Sequence, residues 1–176
     1  MDKVITQIDS RGIARVILNN PDKHNAFDDQ MIIQLTEAFE AVATNSDVRI
    51  MLLQSEGKSF SAGADLGWMK RMARYSYQQN LSDTHALAAM LKALHQMPIP
   101  TIARVQGAAF GGALGLISCC DIAVASSKAS FALSEVKIGL VPSTISPYVI
   151  AAIGERHAKR YFMTAERFDA NTALQI

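Results

Sequence analysis

The chain has 176 residues, with 17 basic and 16 acidic side chains, which gives a formal net charge of +1 at pH 7. Hydrophobic residues make up 49% and charged residues 19%, a composition typical of a folded domain and too apolar for a disordered one. The near-zero charge argues against nucleic-acid-binding and membrane-surface proteins, which usually carry a basic surplus. The length predicts one domain, residues 1–176.

Two β-rich runs within residues 4–18 predict an N-terminal hairpin, and residues 19–22 (NNPD) predict a turn after it. Apolar residues at helical spacing then predict a helix. Asp28 or Asp29 can cap its N-terminus. Residues 48–54 are expected to form a buried strand. The first third of the chain therefore predicts a hairpin, a helix and a strand.

A long stretch rich in methionine and alanine, residues 66–97, predicts helix with a break near residues 75–82. The proline-containing segment 97–100 ends it, because the residue before a proline disfavours the helical conformation. Residues 101–105 predict a short buried strand, and residues 107–112 a glycine-rich turn.

The remaining elements are a buried helix over residues 113–119, a strand over 121–125, and two helices over about 146–153 and 155–168. Gly154 is expected to separate the last two helices. Strands that alternate with helices predict an α/β fold, and the chain contains neither internal repeats nor a linker.

The two cysteines, Cys119 and Cys120, are neighbours in sequence. Adjacent cysteines can bridge only in a strained ring, and two thiols without spaced partners do not form a zinc site. Buried, reduced thiols are therefore expected, in a reducing compartment. The N-terminus has no signal-peptide pattern, and the longest near-apolar run, residues 107–120, is too short to span a bilayer. These features predict a soluble, cytoplasmic protein without a metal site.

Two turns built from small residues each follow a predicted strand and precede a predicted helix: residues 60–65 (FSAGAD) and 107–113 (GAAFGGA). Backbone N–H groups at the start of a helix have no partner within the helix, and small residues let a ligand approach them. Two such turns could direct two N–H donors at one oxygen, which is the arrangement of an oxyanion hole. The alternative is that the glycines only permit close packing of helix on strand.

Other nucleotide and nucleophile motifs do not match. The glycines of residues 107–115 do not fit G-x-G-x-x-G, no lysine follows them as in a P-loop, and the chain has no G-x-S-x-G.

Four segments together resemble the enoyl-CoA hydratase/isomerase (crotonase) superfamily. Residues 60–66 (FSAGADL) look like its first signature, and residues 105–113 (VQGAAFGGA) with 120–125 (CDIAVA) look like its second. Residues 131–142 (FALSEVKIGLVP) look like the third, and residues 21–27 (PDKHNAF) match an early turn that contacts coenzyme A. The resemblance covers essentially the whole chain, in order.

The resemblance implies an α/β spiral of ββα units, with the spiral core ending at about residue 142 and C-terminal helices starting in residues 143–176. The family normally continues into a C-terminal helical region that builds trimer contacts, and this region is expected to be absent or truncated here. The implied partner is an acyl-CoA thioester, with no nucleic acid and no membrane. No cofactor is implied, because coenzyme A enters as part of the substrate. The implied assembly is a homotrimer or a dimer of trimers.

The resemblance also assigns roles to residues. The N–H groups of Ala62 and Gly112 would hold the thioester oxygen, and Glu135 would carry the proton. A carboxylate flanked by apolar residues is partly desolvated, which raises its pKa towards neutrality. The residues expected to contact substrate or coenzyme A are Lys23, His24, Ala26, Ala62, Gly63, Ala64, Asp65, Leu66 and Gly112. For Asp65 the residues favour a helix cap over a role in catalysis, and for Lys23 a solvated side chain is the default interpretation.

One position departs from the best-known hydratases, which carry a first glutamate three residues after the oxyanion-hole glycine. Here that position is Gly115. Residues 107–125 and 131–154 look most like a bacterial branch assigned to methylglutaconyl-CoA and related branched, carboxylated enoyl-CoA hydratases, which also has glycine there. The implied activity is that of a hydro-lyase that adds water syn across the α,β double bond of an enoyl-CoA, in fatty acid or branched-chain amino acid breakdown. An isomerase that uses Glu135 alone, and a weakly catalytic acyl-CoA-binding protein, remain alternatives.

Overall fold

The computed structural model describes residues 2–176. Met1, which begins the N-terminal segment considered for a signal peptide, lies outside the described residues. The strands are β1 (Val4–Ile8), β2 (Ile13–Leu18), β3 (Ile50–Ser55), β4 (Ser59–Ser61), β5 (Thr101–Val105), β6 (Ala108–Phe110), β7 (Ile122–Ala125), β8 (Ser130–Ala132) and β9 (Phe168–Asp169). The helices are α1 (Asp29–Thr44), α2 (Leu66–Met72), α3 (Tyr77–His95), α4 (Gly112–Cys119), α5 (Ser146–Thr164) and α6 (Ala170–Leu174). The predicted α/β class is confirmed.

Five strands form the larger sheet, in the order β1-β2-β3-β5-β7. The predicted N-terminal hairpin is confirmed, since β1 and β2 pair antiparallel with Val4 opposite Leu18. The other neighbours pair parallel, which requires the chain to cross back between them through the intervening elements. All four residues of β7 are exposed, at the edge of this sheet.

Four strands form the smaller sheet, in the order β4-β6-β8-β9. Strands β4, β6 and β8 run parallel, and β9 pairs antiparallel with β8. Because parallel neighbours end at the same edge, the segments that follow β4, β6 and β8 leave the sheet side by side. Those segments are residues 62–65, 111–112 and 133–135, which include most of the predicted site residues.

Helix α1 supplies much of the core. Asp28 caps it as predicted, because its carboxylate accepts the Met31 N–H at 2.9 Å. The buried residues of α1 recur at helical spacing and are Met31, Ile32, Leu35, Ala38, Phe39 and Val42. They pack in one cluster with residues of both sheets and of α3 and α4. The hydrophobic effect of this burial holds the two sheets in place.

The helical stretch 66–97 is broken as predicted, but earlier. Helix α2 ends at Met72 and α3 starts at Tyr77, so the break lies at residues 73–76 rather than 75–82. The reason is local: Ser76 and Gln79 form a capping box, in which each side chain binds the other residue's backbone N–H. This reciprocal cap begins a new helix at residue 77.

Four short strands and the last helix, α6, were not predicted. Strand β4 overlaps the stretch taken as the first small-residue turn. Strand β6 lies inside the stretch taken as a glycine-rich turn, and β8 and β9 have only three and two residues. Their side-chain patterns are too short to show a period, and pairing across the sheet forms them. The interruption at Gly154 is confirmed by its φ of 76° and ψ of 158°, although the following helix ends at Thr164 rather than near 168.

The two thiols are free, with Cys119 buried and Cys120 half-buried. Burial raises the pKa of both, that of Cys120 to about 12, so both stay protonated at neutral pH. The absence of a disulfide between them and the burial of Cys119 are as predicted, whereas Cys120 is less buried than expected. None of the helices formed by residues 2–176 is both long and apolar enough to cross a membrane.

Candidate active site

The candidate site lies where β4, β6 and β8 end. The Ala62–Asp65 turn follows β4, the Gly111–Gly112 pair follows β6, and Glu135 follows β8. Gly63 lies so close to β6 that a Cβ built on it would be 2.8 Å from the Phe110 carbonyl oxygen. Three segments that are distant in sequence therefore converge at one edge of the smaller sheet.

The Ala62–Asp65 turn is held from the other side by the His24–Phe27 segment. The Ala62 N–H donates to the His24 carbonyl at 2.9 Å, and the Phe27 N–H donates to the Gly63 carbonyl at 2.7 Å. The Asp65 N–H in turn donates to the Phe27 carbonyl at 2.7 Å. Phe27 and Ala64 consequently face each other in a parallel β-bridge.

This pairing corrects the choice of donor in the turn. The sequence prediction used the N–H of Ala62, but that group is already bonded to His24 and is not free for a ligand. The Gly63 N–H also has a partner, since it donates to the Ser61 hydroxyl oxygen at 3.2 Å. Within residues 2–176 the Ala64 N–H has no hydrogen-bond partner, and Ala64 is exposed. The free donor of this turn is therefore that of Ala64.

The second turn presents the first residue of α4. The Gly111 N–H donates to the Ala132 carbonyl at 2.8 Å, which ties the turn to β8, and a φ of 54° turns the chain into the helix. Gly112 is the first helical residue, so its N–H has no acceptor within the helix, nor any other among the described residues. A Cβ on Gly112 would lie 2.9 Å from the Phe27 ring, so glycine is needed here. The predicted donor Gly112 is thus free.

Glu135 reaches the same turn. A Cβ built on Gly111 would lie 3.0 Å from the Glu135 Oε1, so the carboxylate rests against the backbone that leads into Gly112. Its Oε2 is buried and is the one buried side-chain oxygen or nitrogen in residues 2–176 without a hydrogen-bond partner. Burial raises the pKa of Glu135 above its ordinary value of 4.5. A desolvated carboxylate with one buried oxygen left without a partner is suited to proton transfer.

Gly115 is enclosed by apolar side chains. A Cβ at this position would lie 2.4 Å from Ile145 Cγ2 and 3.4 Å from Leu91 Cδ2. The space that a glutamate side chain would need is therefore filled by Ile145. The site has one carboxylate at Glu135 and no room for a second at position 115.

Gly115→Ala should lower the free energy of unfolding by about 1–3 kcal/mol, the usual cost of overpacking a core. Alanine normally stabilises a helix interior relative to glycine, so a net loss would report the overlap with Ile145. Urea unfolding followed by the fluorescence of Trp68, the only tryptophan, measures it. The double variant with Ile145→Ala should lose less than the two single variants combined. Strictly additive losses would contradict a contact between positions 115 and 145.

Of the other residues predicted to contact coenzyme A, Lys23 and His24 are hydrogen-bonded to the Ala62–Asp65 turn and Leu66 follows it. The Lys23 ammonium donates to Asp65 at 3.2 Å and is largely exposed, and Leu66 is exposed. His24 places its ring nitrogen 3.1 Å from the Ser59 hydroxyl, while Ala26 is buried beside Phe27.

Asp65 has the helix-capping role that was weighed for it. Its carboxylate accepts the Trp68 N–H at 2.8 Å and so begins α2. Burial acts to raise the pKa of Asp65, but the bonds from Trp68 and Lys23 outweigh it and leave the pKa below the ordinary value. Asp65 is therefore held as an anion, which suits a structural cap.

Sequence reasoning missed Asn25, Phe27 and Ile145. Asn25 is completely buried with a φ of 53°, and a polar residue within a turn gives no sequence signal for that burial. An asparagine beside a predicted turn could have indicated a left-handed backbone, which asparagine tolerates better than most residues. No local pattern could have shown that Ile145 occupies the space at Gly115.

Comparison with known proteins agrees with this geometry. The family model described as enoyl-CoA hydratase/isomerase matches residues 9–176.

Among residues 2–176, no group of three or more histidine, cysteine, aspartate or glutamate side chains is arranged to hold a metal ion.

Solved structures and curated relatives point the same way. An enoyl-CoA hydratase from Shewanella pealeana is 51% identical and superimposes with a TM-score of 0.96 over 99% of this chain and 65% of its own. One from Mycobacterium smegmatis is 32% identical with a TM-score of 0.94, over 99% of this chain and 67% of its own. An enoyl-CoA hydratase of Alternaria alternata is 33% identical over 94% of this chain and 53% of its own length. The chain thus spans between about half and two thirds of these relatives, and it belongs to the enoyl-CoA hydratase/isomerase family.

Proposed function

We propose that this chain carries the catalytic core of an enoyl-CoA hydratase, a hydro-lyase that adds water syn across the α,β double bond of an enoyl-CoA thioester. The observation that carries the proposal is the unpartnered carboxylate of Glu135 against the turn that presents the free Gly112 N–H. Hydration needs a proton carrier and a means to hold negative charge on the thioester oxygen, and these groups can supply both.

In this proposal the N–H groups of Ala64 and Gly112 bind the thioester carbonyl oxygen. When the oxygen of water bonds to the β-carbon, the π electrons move onto the carbonyl oxygen and form an enolate. Fixed donors stabilise this enolate more than they stabilise the substrate, which lowers the barrier. Loss of one such donor typically costs about 3 kcal/mol of transition-state stabilisation.

Glu135 would move the proton. Its carboxylate takes a proton from the attacking water, the hydroxyl bonds to the β-carbon, and the protonated Glu135 returns that proton to the α-carbon. Because a single carboxylate serves both carbons, it acts on one face of the double bond, and the addition is syn. Position 115 has no room for a second carboxylate, so Glu135 works with water alone or with a group of the substrate.

For the substrate we propose a branched, carboxylated enoyl-CoA such as 3-methylglutaconyl-CoA. This rests on the resemblance of residues 107–125 and 131–154 to the bacterial branch that has glycine at the same position. For the coenzyme A moiety we propose contacts at Lys23, His24, Ala26 and Leu66, which flank the Ala62–Asp65 turn. The exposed Lys23 ammonium is available to a phosphate.

The filled space at Gly115 favours a second candidate within the same family. An enoyl-CoA isomerase moves a proton between two carbons and needs only one carboxylate, so Glu135 alone would suffice. In that case the enzyme removes a proton from the α-carbon of a 3-enoyl-CoA and returns it to the γ-carbon.

Absorbance assays separate the candidates. Crotonyl-CoA and 3-methylglutaconyl-CoA lose their conjugated enoyl absorbance on hydration, and we expect the second to be turned over faster. A 3-enoyl-CoA gains that absorbance on isomerisation. If neither signal changes while the CoA esters still bind, the chain is an acyl-CoA-binding protein and the proposed activity is wrong.

We further propose that the protein assembles as a homotrimer or a dimer of trimers, as the family resemblance implies. Exposed apolar side chains support a partner surface, because large apolar patches on soluble proteins usually mark interaction sites. They lie on β7 and after Glu135 and are Ile122, Val124, Val136, Ile138, Leu140 and Val141. Light scattering of the purified protein tests the assembly.

A further inference from the structure

We propose that Asn25, which makes no contact with the reacting groups in this structure, is a positioning residue for the Ala64 N–H. The effect of Asn25 on turnover rests on the proposed function. Its effect on the backbone rests on geometry alone, and the two effects can be measured separately.

The Ala62–Asp65 turn is held along most of its backbone by the His24–Phe27 segment. Three backbone bonds join the turn to residues 24–27. Outside the helix and strand ladders, the only other backbone bond of the turn among residues 2–176 runs from the Met69 N–H of α2 to the Asp65 carbonyl, beyond Ala64. The Ala62 N–H donates to the His24 carbonyl. The Phe27 N–H donates to the Gly63 carbonyl, and the Phe27 carbonyl accepts the Asp65 N–H. The direction of the Ala64 N–H is therefore set by where the His24–Phe27 segment lies.

Asn25 fixes the His24–Phe27 segment in turn. Its Nδ2 donates to the carbonyls of Glu56 at 2.8 Å and Ser59 at 3.0 Å, just before and at the start of β4. Its Oδ1 accepts the Asn20 N–H at 2.8 Å, and its own N–H donates to the Asn20 carbonyl at 2.8 Å. One buried carboxamide thus ties the segment both to the preceding turn and to the strand that leads into Ala62.

Asparagine suits position 25 for two reasons, its backbone conformation and its side-chain hydrogen bonds. His24 and Asn25 have φ values of 51° and 53°, so two successive residues without the freedom of glycine adopt the left-handed conformation. Asparagine tolerates this conformation better than most residues. Among the side chains that do so, a carboxamide alone offers both two donors and an acceptor, which is what the three partners require. Aspartate would leave both carbonyls facing a buried anion.

The expected consequence is specific to the transition state. If the His24–Phe27 segment shifts, the Ala64 N–H no longer points where the enolate oxygen forms. The coenzyme A contacts proposed for Lys23 and Leu66 lie outside the segment and are kept, and only those of His24 and Ala26 move with it. A displacement of about 1 Å can cost on the order of 10²-fold in rate. The loss should therefore fall on kcat far more than on KM.

The test compares Asn25→Gly with Asn45→Gly. Glycine accepts the positive φ and removes only the carboxamide. Asn45 caps the far end of α1 and binds the Asp47 N–H through its side chain, so its variant loses a similar turn bond roughly 24 Å away by helix length. Asn25→Asp is the second variant: it keeps the acceptor for Asn20, loses both donors and places a carboxylate against the carbonyls of Glu56 and Ser59.

Hydrogen exchange of the peptide spanning residues 60–66 gives a readout independent of activity. We expect the Ala62 amide to exchange about tenfold faster or more in both Asn25 variants and at the parental rate in Asn45→Gly. With an enoyl-CoA that the parent turns over, kcat should fall about 10–100-fold in Asn25→Gly with KM within about threefold. Unchanged exchange at Ala62, or a loss confined to KM, would overturn the proposal. A parent that turns over no enoyl-CoA would contradict the proposed function and leave the exchange result decisive for Asn25.

Discussion

Glu135→Gln is expected to reduce kcat/KM for an enoyl-CoA by about 10²–10⁴-fold, the usual contribution of a general acid–base group. Glutamine keeps the size of the side chain and its position against Gly111 but cannot carry the proton. Steady-state kinetics by enoyl absorbance measure the effect. Glu40→Gln, on the exposed face of α1, is the matched control and should leave the rate unchanged. A Glu135→Gln enzyme as fast as the parent would remove Glu135 from the mechanism.

The pH dependence follows from the burial of Glu135. Because burial raises its pKa above 4.5, the parental kcat/KM should fall as the pH drops through this raised value, where the carboxylate takes up a proton. The residual activity of Glu135→Gln should lack that acidic limb. An acidic limb identical in both enzymes would mean that another group titrates.

The Glu135 carboxylate also makes the stability of the fold depend on pH: stability falls as the pH rises, whereas activity increases. A folded-state pKa raised above the unfolded value adds stability that is present at low pH and is lost as the pH rises through the folded pKa. At neutral pH the buried, unpartnered anion of Glu135 therefore opposes folding. Glu135→Gln should unfold at the same or a higher temperature than the parent at pH 7, and it should gain less at pH 4. Loss of activity with retained stability separates a catalytic role from a structural one.

Gly63→Ala is expected to reduce kcat/KM by about 10²-fold or more, comparable to the loss of one oxyanion donor. Gly63 has a φ of 87°, and a Cβ would lie 2.8 Å from the Phe110 carbonyl oxygen. That oxygen belongs to the backbone of β6 and cannot move aside cheaply. The turn must shift instead, and the Ala64 N–H shifts with it.

Gly154→Ala is the matched control for the backbone strain. Gly154 has a φ of 76°, but nothing lies within 4 Å of a Cβ built there. Both variants should lose about 1–3 kcal/mol of stability from strain. The large loss of kcat/KM should appear in Gly63→Ala alone. Equal kinetic losses in the two variants would show that general destabilisation, and not the placement of the Ala64 N–H, explains the effect.

Much of the local structure could be predicted from the sequence because its causes are local. The caps by Asp28 and Asp65 depend on a side chain and a backbone N–H three residues further on. The hairpin, helix α1 and strand β5 follow from apolar periodicity. The strands β4, β6, β8 and β9 could not be predicted, since pairing with distant strands forms them.

The candidate site divides in the same way. The small residues after β4 and β6 and the glutamate after β8 are visible in the sequence, because each motif is continuous in the chain. Which N–H is free is not visible. The Ala62 N–H donates to the carbonyl of His24, which leaves the Ala64 N–H as the free one in that turn. This depends on a contact between segments far apart in sequence.

The sequence by itself determined the α/β class, the family and the absence of a glutamate at position 115, because residue identity is enough for each. Tertiary structure alone decided what that absence means. Ile145 fills the space that a second carboxylate would occupy, and the buried carboxylate of Glu135 lies without a partner beside the Gly111–Gly112 turn. Desolvation and the supply of free N–H groups depend on which segments meet, and these follow only from the packed fold.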